Sequence, residues 1–276
     1  MALLMHSLRW LVFLLAAFIL NFPIISTVVT SLKSRAEVNA NAGLSIQQPT
    51  LDNFIQVLTV TDRLNIYGYL QNSLVAAMIG TILPIIICFP IAYAIARRNY
   101  GSNILFPLVI NLRALPLIIF SIPLYLMYQF MGLLDTRLGL GLILAVINLP
   151  LTLLILVNGI HDVPEELDEA AKIEGASLWI ILSRVVLPVC RPAVVVTFIF
   201  GFITAWNEFL FGLMLTTRDA VPMTVGASFF FSSGGGGIQW GMAAAIIIIA
   251  ALPPTLLGLV MYRQISRSML GGAVKG

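Results

Sequence analysis

The stretch "PEELDEAAKIEGASLWIILSRVVLP", Pro164 to Pro188, stands out in an otherwise apolar chain. With Asp162 just before it, the segment up to Glu174 gathers six acidic residues (Asp162, Glu165, Glu166, Asp168, Glu169 and Glu174), half of the twelve present. Asp162 suits an N-cap, Glu165 a capping-box partner three residues later, and Pro164 a first turn whose amide would have no partner. Carboxylates at Glu165 and Glu166 complement the positive end of a helix dipole. Val163, Leu167, Ala170 and Ala171 then form one apolar stripe on a charged helix. Gly175 ends that helix, Ser177 opens a second one carrying Leu178, Trp179 and Leu182, and Pro188 stops it. The expectation is a helix, a glycine break and another helix.

The rest of the chain gives this module its setting. Apolar types make up 59% of 276 residues and charged types 10%, and the mean hydropathy is +1.01, well above that of soluble domains. These values predict an all-α integral membrane protein. Six apolar runs of spanning length are visible: Arg9–Thr30, Leu70–Ala96, Ile104–Met131, Leu138–Val157, Pro192–Leu215 and Trp240–Tyr262. The first is too long for a signal-peptide core and lacks a clear cleavage site, so it reads as a retained span.

Basic residues orient the array. With the N-terminus inside, inner segments hold Arg9, Arg97, Arg98, Lys172, Arg184, Arg191, Arg263, Arg267 and Lys275, while outer ones hold Lys33, Arg35, Arg63, Arg137 and Arg218. Nine against five places both termini, and the acidic module, in the cytoplasm. The outer segment Lys33–Tyr69 reads as an extended loop with one short surface helix at Leu51–Leu58. A second outer loop, "SSGGGGIQWG" (Ser232–Gly241), is glycine-rich. A surface-lying helix would be basic on its polar face, because the inner leaflet is anionic. An acidic helix pair favours docking into a groove on another protein.

Glu169, Ala170, Ala171, then Gly175, then Val185, Val186, Leu187 and Pro188 carry the spacing E-A-A-x3-G-x9-V-x-L-P. This resembles the EAA signature of permease subunits in binding-protein-dependent ATP-binding-cassette importers, with Val185 where Ile is usual. "IPLY" (Ile122–Tyr125), "AWNEFLF" (Ala205–Phe211), "GGAVKG" (Gly271–Gly276) and Arg113 with Pro116 are similar to the carbohydrate branch, in particular its maltose-type second permease. The resemblance runs from about Leu70 to the end. It implies a six-helix type I importer permease (MetI-like) fold, divided into residues 1–69, a first span with its outer loop, and 70–276, a five-helix core with a coupling loop at 159–191.

The resemblance also implies partners: a second, different permease subunit, two ATPase subunits and an extracytoplasmic solute-binding protein, in a bacterial inner membrane. Glu169, Ala170, Ala171, Gly175, Leu187 and Pro188 would couple to the ATPase, and Gly272, Val274 and Lys275 of the tail would touch it. The chain has no G-x-x-x-x-G-K-[ST] phosphate loop, so ATP would be bound by the partner subunits and the chain would be a transport subunit, not an enzyme. No His or Cys cluster has metal-ligand spacing, and no cofactor or nucleic-acid partner is expected.

Arg113 falls about ten residues into the third run, ~15 Å deep, where an unpaired cation costs about 2.5–3.5 kcal/mol. Arg113, Asn207 and Glu208 are therefore the expected path or gate residues, with Arg113 and Glu208 as a possible pair. The rival class is an ion-coupled secondary transporter, which needs intramembrane carboxylates; Glu208 is the one such carboxylate in these runs.

Overall fold

A computed structural model describes the backbone of residues 2–41, 43–61, 64–231 and 238–273, and side chains within 6–261 of these. Among the described residues, four helices are long and apolar enough to cross a membrane: His6–Ser31, Ile66–Arg98, Arg137–His161 and Trp240–Met261. Two further spans result if each of two bent helix pairs is counted as one crossing. The Leu105–Ala114 and Leu117–Met131 pieces meet at 97°, and the Leu178–Val189 and Arg191–Trp206 pieces at 78°.

Helices separate into two compact units, Met1–Tyr67 with Gly226–Leu252, and Gly68–Val225 with Pro253–Gly276. In the first, α1 (Ala2–Ser31) exposes apolar side chains around its circumference. The polar segment that follows is far more ordered than an extended loop. It contains α2 (Arg35–Ala40), capped by the Ser34 hydroxyl, and α3 (Asp52–Leu58), which realises the expected short helix. The buried Lys33 ammonium donates to the carbonyls of Asn41 and Gly43. Glu37 accepts from the amides of Gln47 and Gln48, and Asn53 Nδ2 donates to the carbonyls of Ser31 and Lys33 at 2.8 Å each. Polar side chains thus satisfy backbone groups that no regular ladder satisfies.

The second unit is built on α4 (Ile66–Arg98), α7 (Arg137–His161) and α11 (Arg191–Trp206). At mid-length of α7, the buried Asn148 Nδ2 donates to the carbonyl of Gly80 on α4 at 2.8 Å and of Gly201 on α11 at 3.0 Å. Glycine brings those carbonyls within reach of a neighbouring helix, the close-packing mode that replaces hydrophobic drive inside a bilayer.

The third apolar run is not one straight helix. It forms α5 (Leu105–Asn111), two 3₁₀ turns over Leu112–Ala114 and Leu117–Phe120, and α6 (Ser121–Met131). Pro116 forces Leu115 into an extended conformation, ψ 134, which breaks the helix there. The fifth run also breaks, into α11 and α12 (Leu210–Leu215), and is followed by α13 (Met223–Phe231), a helix too short to register as a span. The last long helix, α14, covers Trp240–Ala273.

Candidate coupling module and the groups around it

The acidic stretch folds into α8 (Glu165–Ile173), then α9 (Leu178–Ile180) and α10 (Leu187–Val189), which a π turn joins into a second helix over Leu178–Val189. Their junction is a complete Schellman closure: the Ala176 amide donates to the Ala171 carbonyl at 2.9 Å and the Gly175 amide to the Lys172 carbonyl at 3.0 Å. Gly175 sits at φ +80, with open space where a side chain would go. Backbone strain, and not a clash, is what demands glycine here.

Two local expectations fail. Asp162 does not cap α8; its amide donates back to Asn158 and Ile160 and closes α7. Pro164 occupies the N-cap position, and its fixed φ with ψ 132 turns the chain into α8. The buried stripe also differs. Val163, Asp168 and Ala171 face inward, whereas Leu167 and Ala170 face outward with Glu165, Glu166 and Glu169. Residues 168 and 171 are one i, i+3 pair, so the inner face includes a carboxylate.

That carboxylate has a partner. Arg97, at the end of α4, donates through Nε to Asp168 Oδ2 at 2.9 Å and through Nη2 to the Val163 carbonyl at 2.6 Å. Its Nη1 lies 3.7 Å from Glu165. The side chains of Arg97 and Asp168 are 6% and 3% exposed. Removing one member of such a buried pair leaves an uncompensated charge and costs about 3–5 kcal/mol.

Around the pair, Val163, Ala171, Ile181, Leu182 and Val186 join one buried apolar cluster with Phe89, Tyr93 and Ala96 of α4 and Leu156 and Ile160 of α7. Fully burying each large side chain contributes about 1.5–3 kcal/mol relative to leaving it exposed. The second helix contains a π turn over Ile181–Val186. Ser183 donates to the Trp179 carbonyl and Pro188 offers no amide, and both loosen the regular ladder.

Outward, the module presents a mixed surface. Ile173 and Trp179 are 87% and 76% exposed, with Leu167, Leu178 and Leu187 also exposed beside Glu169. Gly272 lies in the last helix, and Val274 and Lys275 fall outside the described residues.

The expected path residues are not drawn together as a charge pair. Arg113 is exposed in the broken part of the third run. Among the described residues, ion pairs join Arg97 to Glu165 and Asp168, and none involves Arg113. Glu208 turns its carboxylate onto the amides of Phe211, at 3.0 and 3.1 Å, and Gly212, at 3.2 Å, capping α12. Asn207, exposed, ends α11.

A second polar centre lies at the other end of α4. Asn72 donates to the carbonyls of Asp219 and Val221 and accepts from Arg137 Nε at 2.7 Å. Ser73 accepts from the Met223 amide. Asp135, itself at φ +53, accepts from the amides of Thr217, Arg218, Asp219 and Ala220 and from the Thr217 hydroxyl, each at 3.0 Å. Partial burial works against its charged form, but the amide donations win and hold the carboxyl down to about 2. Nothing in the sequence around Asp135 signals this, since its partners lie more than eighty residues away.

Comparison with known proteins places this geometry. Residues 86–271 match the family described as "Binding-protein-dependent transport system inner membrane component". The chain is 32% identical over 276 residues to a putative ABC transporter permease protein, ORF2, of Caldicellulosiruptor sp. (strain Rt8B.4), covering 97% of each. It is 32% identical over 265 residues to the trehalose/maltose transport system permease protein MalG of Thermococcus litoralis, covering 95% of this chain and 94% of that one. In fold it resembles a chain from the crystal structure of a bacterial ABC transporter involved in the import of the acidic polysaccharide alginate. The TM-score is 0.76 at 20% identity, over 94% of this chain and 96% of that one. The chain therefore belongs to the family of binding-protein-dependent transport system inner membrane components, the permease subunits of ATP-binding-cassette importers.

Proposed function

We propose that this chain forms half of the translocation path of an ATP-driven importer for a sugar or sugar derivative, with both termini cytoplasmic. A second, different permease subunit forms the other half, a solute-binding protein delivers the cargo from outside, and two separate ATPase subunits dock beneath. One observation carries the reading. Helix α8 is fixed from behind by a buried ion pair and an apolar cluster, yet turns exposed Leu167, Ala170 and Ile173 outward among carboxylates. A rigid helix with an apolar stripe and an acidic rim suits the groove of a protein partner.

In this reading Glu169, Ala170, Ala171 and Gly175 form the lever that converts nucleotide-driven closure into opening on the far side, with Leu187 and Pro188 at its base. The tail at Gly272, Val274 and Lys275 adds a second contact with the ATPase. Arg113 and Asn207, both exposed where helices break, are assigned to the path, and Glu208 holds one break in shape. Residues 70–276 act as the transporting core, with 1–69 as its flanking span and outer segment. The sugar assignment rests on likeness to the trehalose/maltose relative. An ion-coupled carrier is disfavoured because the Glu208 carboxylate is occupied by backbone amides.

Co-purification and uptake test this together. The chain is expected to isolate with an ATPase, and the reconstituted complex to take up sugar only with ATP and the binding protein. Gly175→Leu, which forces a branched side chain into φ +80, should leave assembly intact and uncouple hydrolysis from uptake. Sugar uptake by this polypeptide alone would refute the assignment, and normal coupling in Gly175→Leu would refute the lever.

A further inference from the structure

We propose that the buried Arg97–Asp168 pair is the joint through which α8 passes its displacement to α4, with Arg97 the positioning residue that fixes the angle between the two helices. The proposal rests on the docking of α8 to an ATPase and adds the route by which that docking moves the membrane helices.

The geometry of the guanidinium carries it first. One planar group donates to two acceptors on and just before α8, Asp168 Oδ2 at 2.9 Å and the Val163 carbonyl at 2.6 Å, and lies 3.7 Å from the exposed Glu165. A rigid fork satisfies both acceptors at one orientation, whereas a point charge tolerates rotation. Burial is the second argument. The pair lies in the apolar cluster shared by α4, α7 and the helix pair, where water cannot replace a broken contact. Among the described residues, Arg97 is the cation that ion-pairs with Asp168.

Position is the third. Arg97 sits at the C-terminal end of α4 and Asp168 in the first turn of α8, so each charge also opposes the dipole end of its own helix. The joint therefore holds two helix ends that face one another in charge. Arg97 lies near one end of α4, a single helix of 33 residues, and Asn72 and Ser73 lie ~37 Å away along it. Those residues hold the carbonyls of Asp219 and Val221 and the amide of Met223. A displacement delivered at Arg97 thus has a hydrogen-bonded load at the opposite end of the same helix.

The test uses the assembled complex, with partner permease, ATPase and binding protein, in proteoliposomes. Spin labels are placed at the exposed positions Glu166 on α8 and Leu74 on α4, in a background with Cys88 and Cys190 replaced. With the native pair present, the label separation should stay within about half a helical turn (~3 Å) between nucleotide-free and ATP-bound complexes. In Asp168→Asn and Arg97→Lys, uptake per ATP hydrolysed should fall about tenfold or more, within the range of ordinary coupling energies. Arg97→Lys keeps the charge and loses the fork, so a loss of coupling there separates angle from simple neutralisation. A nucleotide-dependent change of more than a full turn (~5 Å) between the labels would overturn the joint, as would unchanged uptake per ATP in either assembled variant. If the variants do not assemble, the label separation in the native-pair protein decides alone. Absence of ATP-driven uptake in the unsubstituted complex would instead refute the importer reading.

Discussion

Asp135 shows how one carboxylate organises a distant loop. Its two oxygens gather four amides and a hydroxyl from Thr217 to Ala220, and its own amide donates to Leu215 at 2.7 Å. With its folded-state pKa lowered to about 2 against ~3.9 in an unfolded chain, its stabilisation is fully present above about pH 4. It is lost as pH falls through about 2. Hydrogen exchange at the Thr217–Ala220 amides, corrected for intrinsic rates, should show protection at pH 6 that collapses toward pH 2. In Asp135→Asn that protection should be weak at both pH values. Equal protection in the variant and the native protein at pH 6 would contradict this role. Such residues mark where sequence reading ends. Gly175 was legible because a positive-φ helix stop is local. Asp162 was not, because Asp serves equally at a helix start and a helix end, and Pro164 decided between them. Asp168 was hidden as one acid among six, and Arg97 because a basic residue at a span end is already explained by orientation. Arg113 was expected near mid-membrane, facing a partner or water; it is exposed in the broken stretch before Pro116, while the Glu208 carboxylate accepts from amides of α12.

Helix existence was legible and helix continuity was not. Apolar runs at Leu70–Ala96, Leu138–Val157 and Trp240–Tyr262 each lie within a continuous helix, since length and hydropathy suffice there. The runs at 104–131 and 192–215 are interrupted at Pro116 and at Asn207–Phe209, because apolar composition does not distinguish a straight helix from two pieces. α13 was missed because nine residues cannot span a bilayer. Helix-to-helix distance is set by small residues, most tightly at Gly159 of α7. A Cβ there would lie 2.2 Å from Ala193 Cβ and 3.3 Å from Cys190 Sγ. Gly159→Ala must therefore part α7 from α11 and cost about 1–3 kcal/mol. The melting temperature of the purified complex in detergent should fall, and Ala193→Gly in the same background should restore much of it. An unchanged melting temperature would show that this contact does not set the α7–α11 distance.

At the scale of the molecule, composition already required a membrane protein, and the EAA spacing between two late spans already pointed to an importer permease. Sequence did not reveal how the module is held: the acids, expected to cap the helix and complement its dipole, include one that buries against Arg97, while Leu167, expected in the apolar stripe, is left outside with Ile173. That inversion makes the docking claim specific, since it names the outward face. A photoreactive amino acid at Ile173, 87% exposed on that face, is the direct test. Illumination of native membrane vesicles should join this chain to the ATPase subunit, identified by mass spectrometry, and the adduct should depend on the nucleotide state. Adducts with lipid alone, or with the binding protein outside, would contradict the docking of α8 on which the whole account depends.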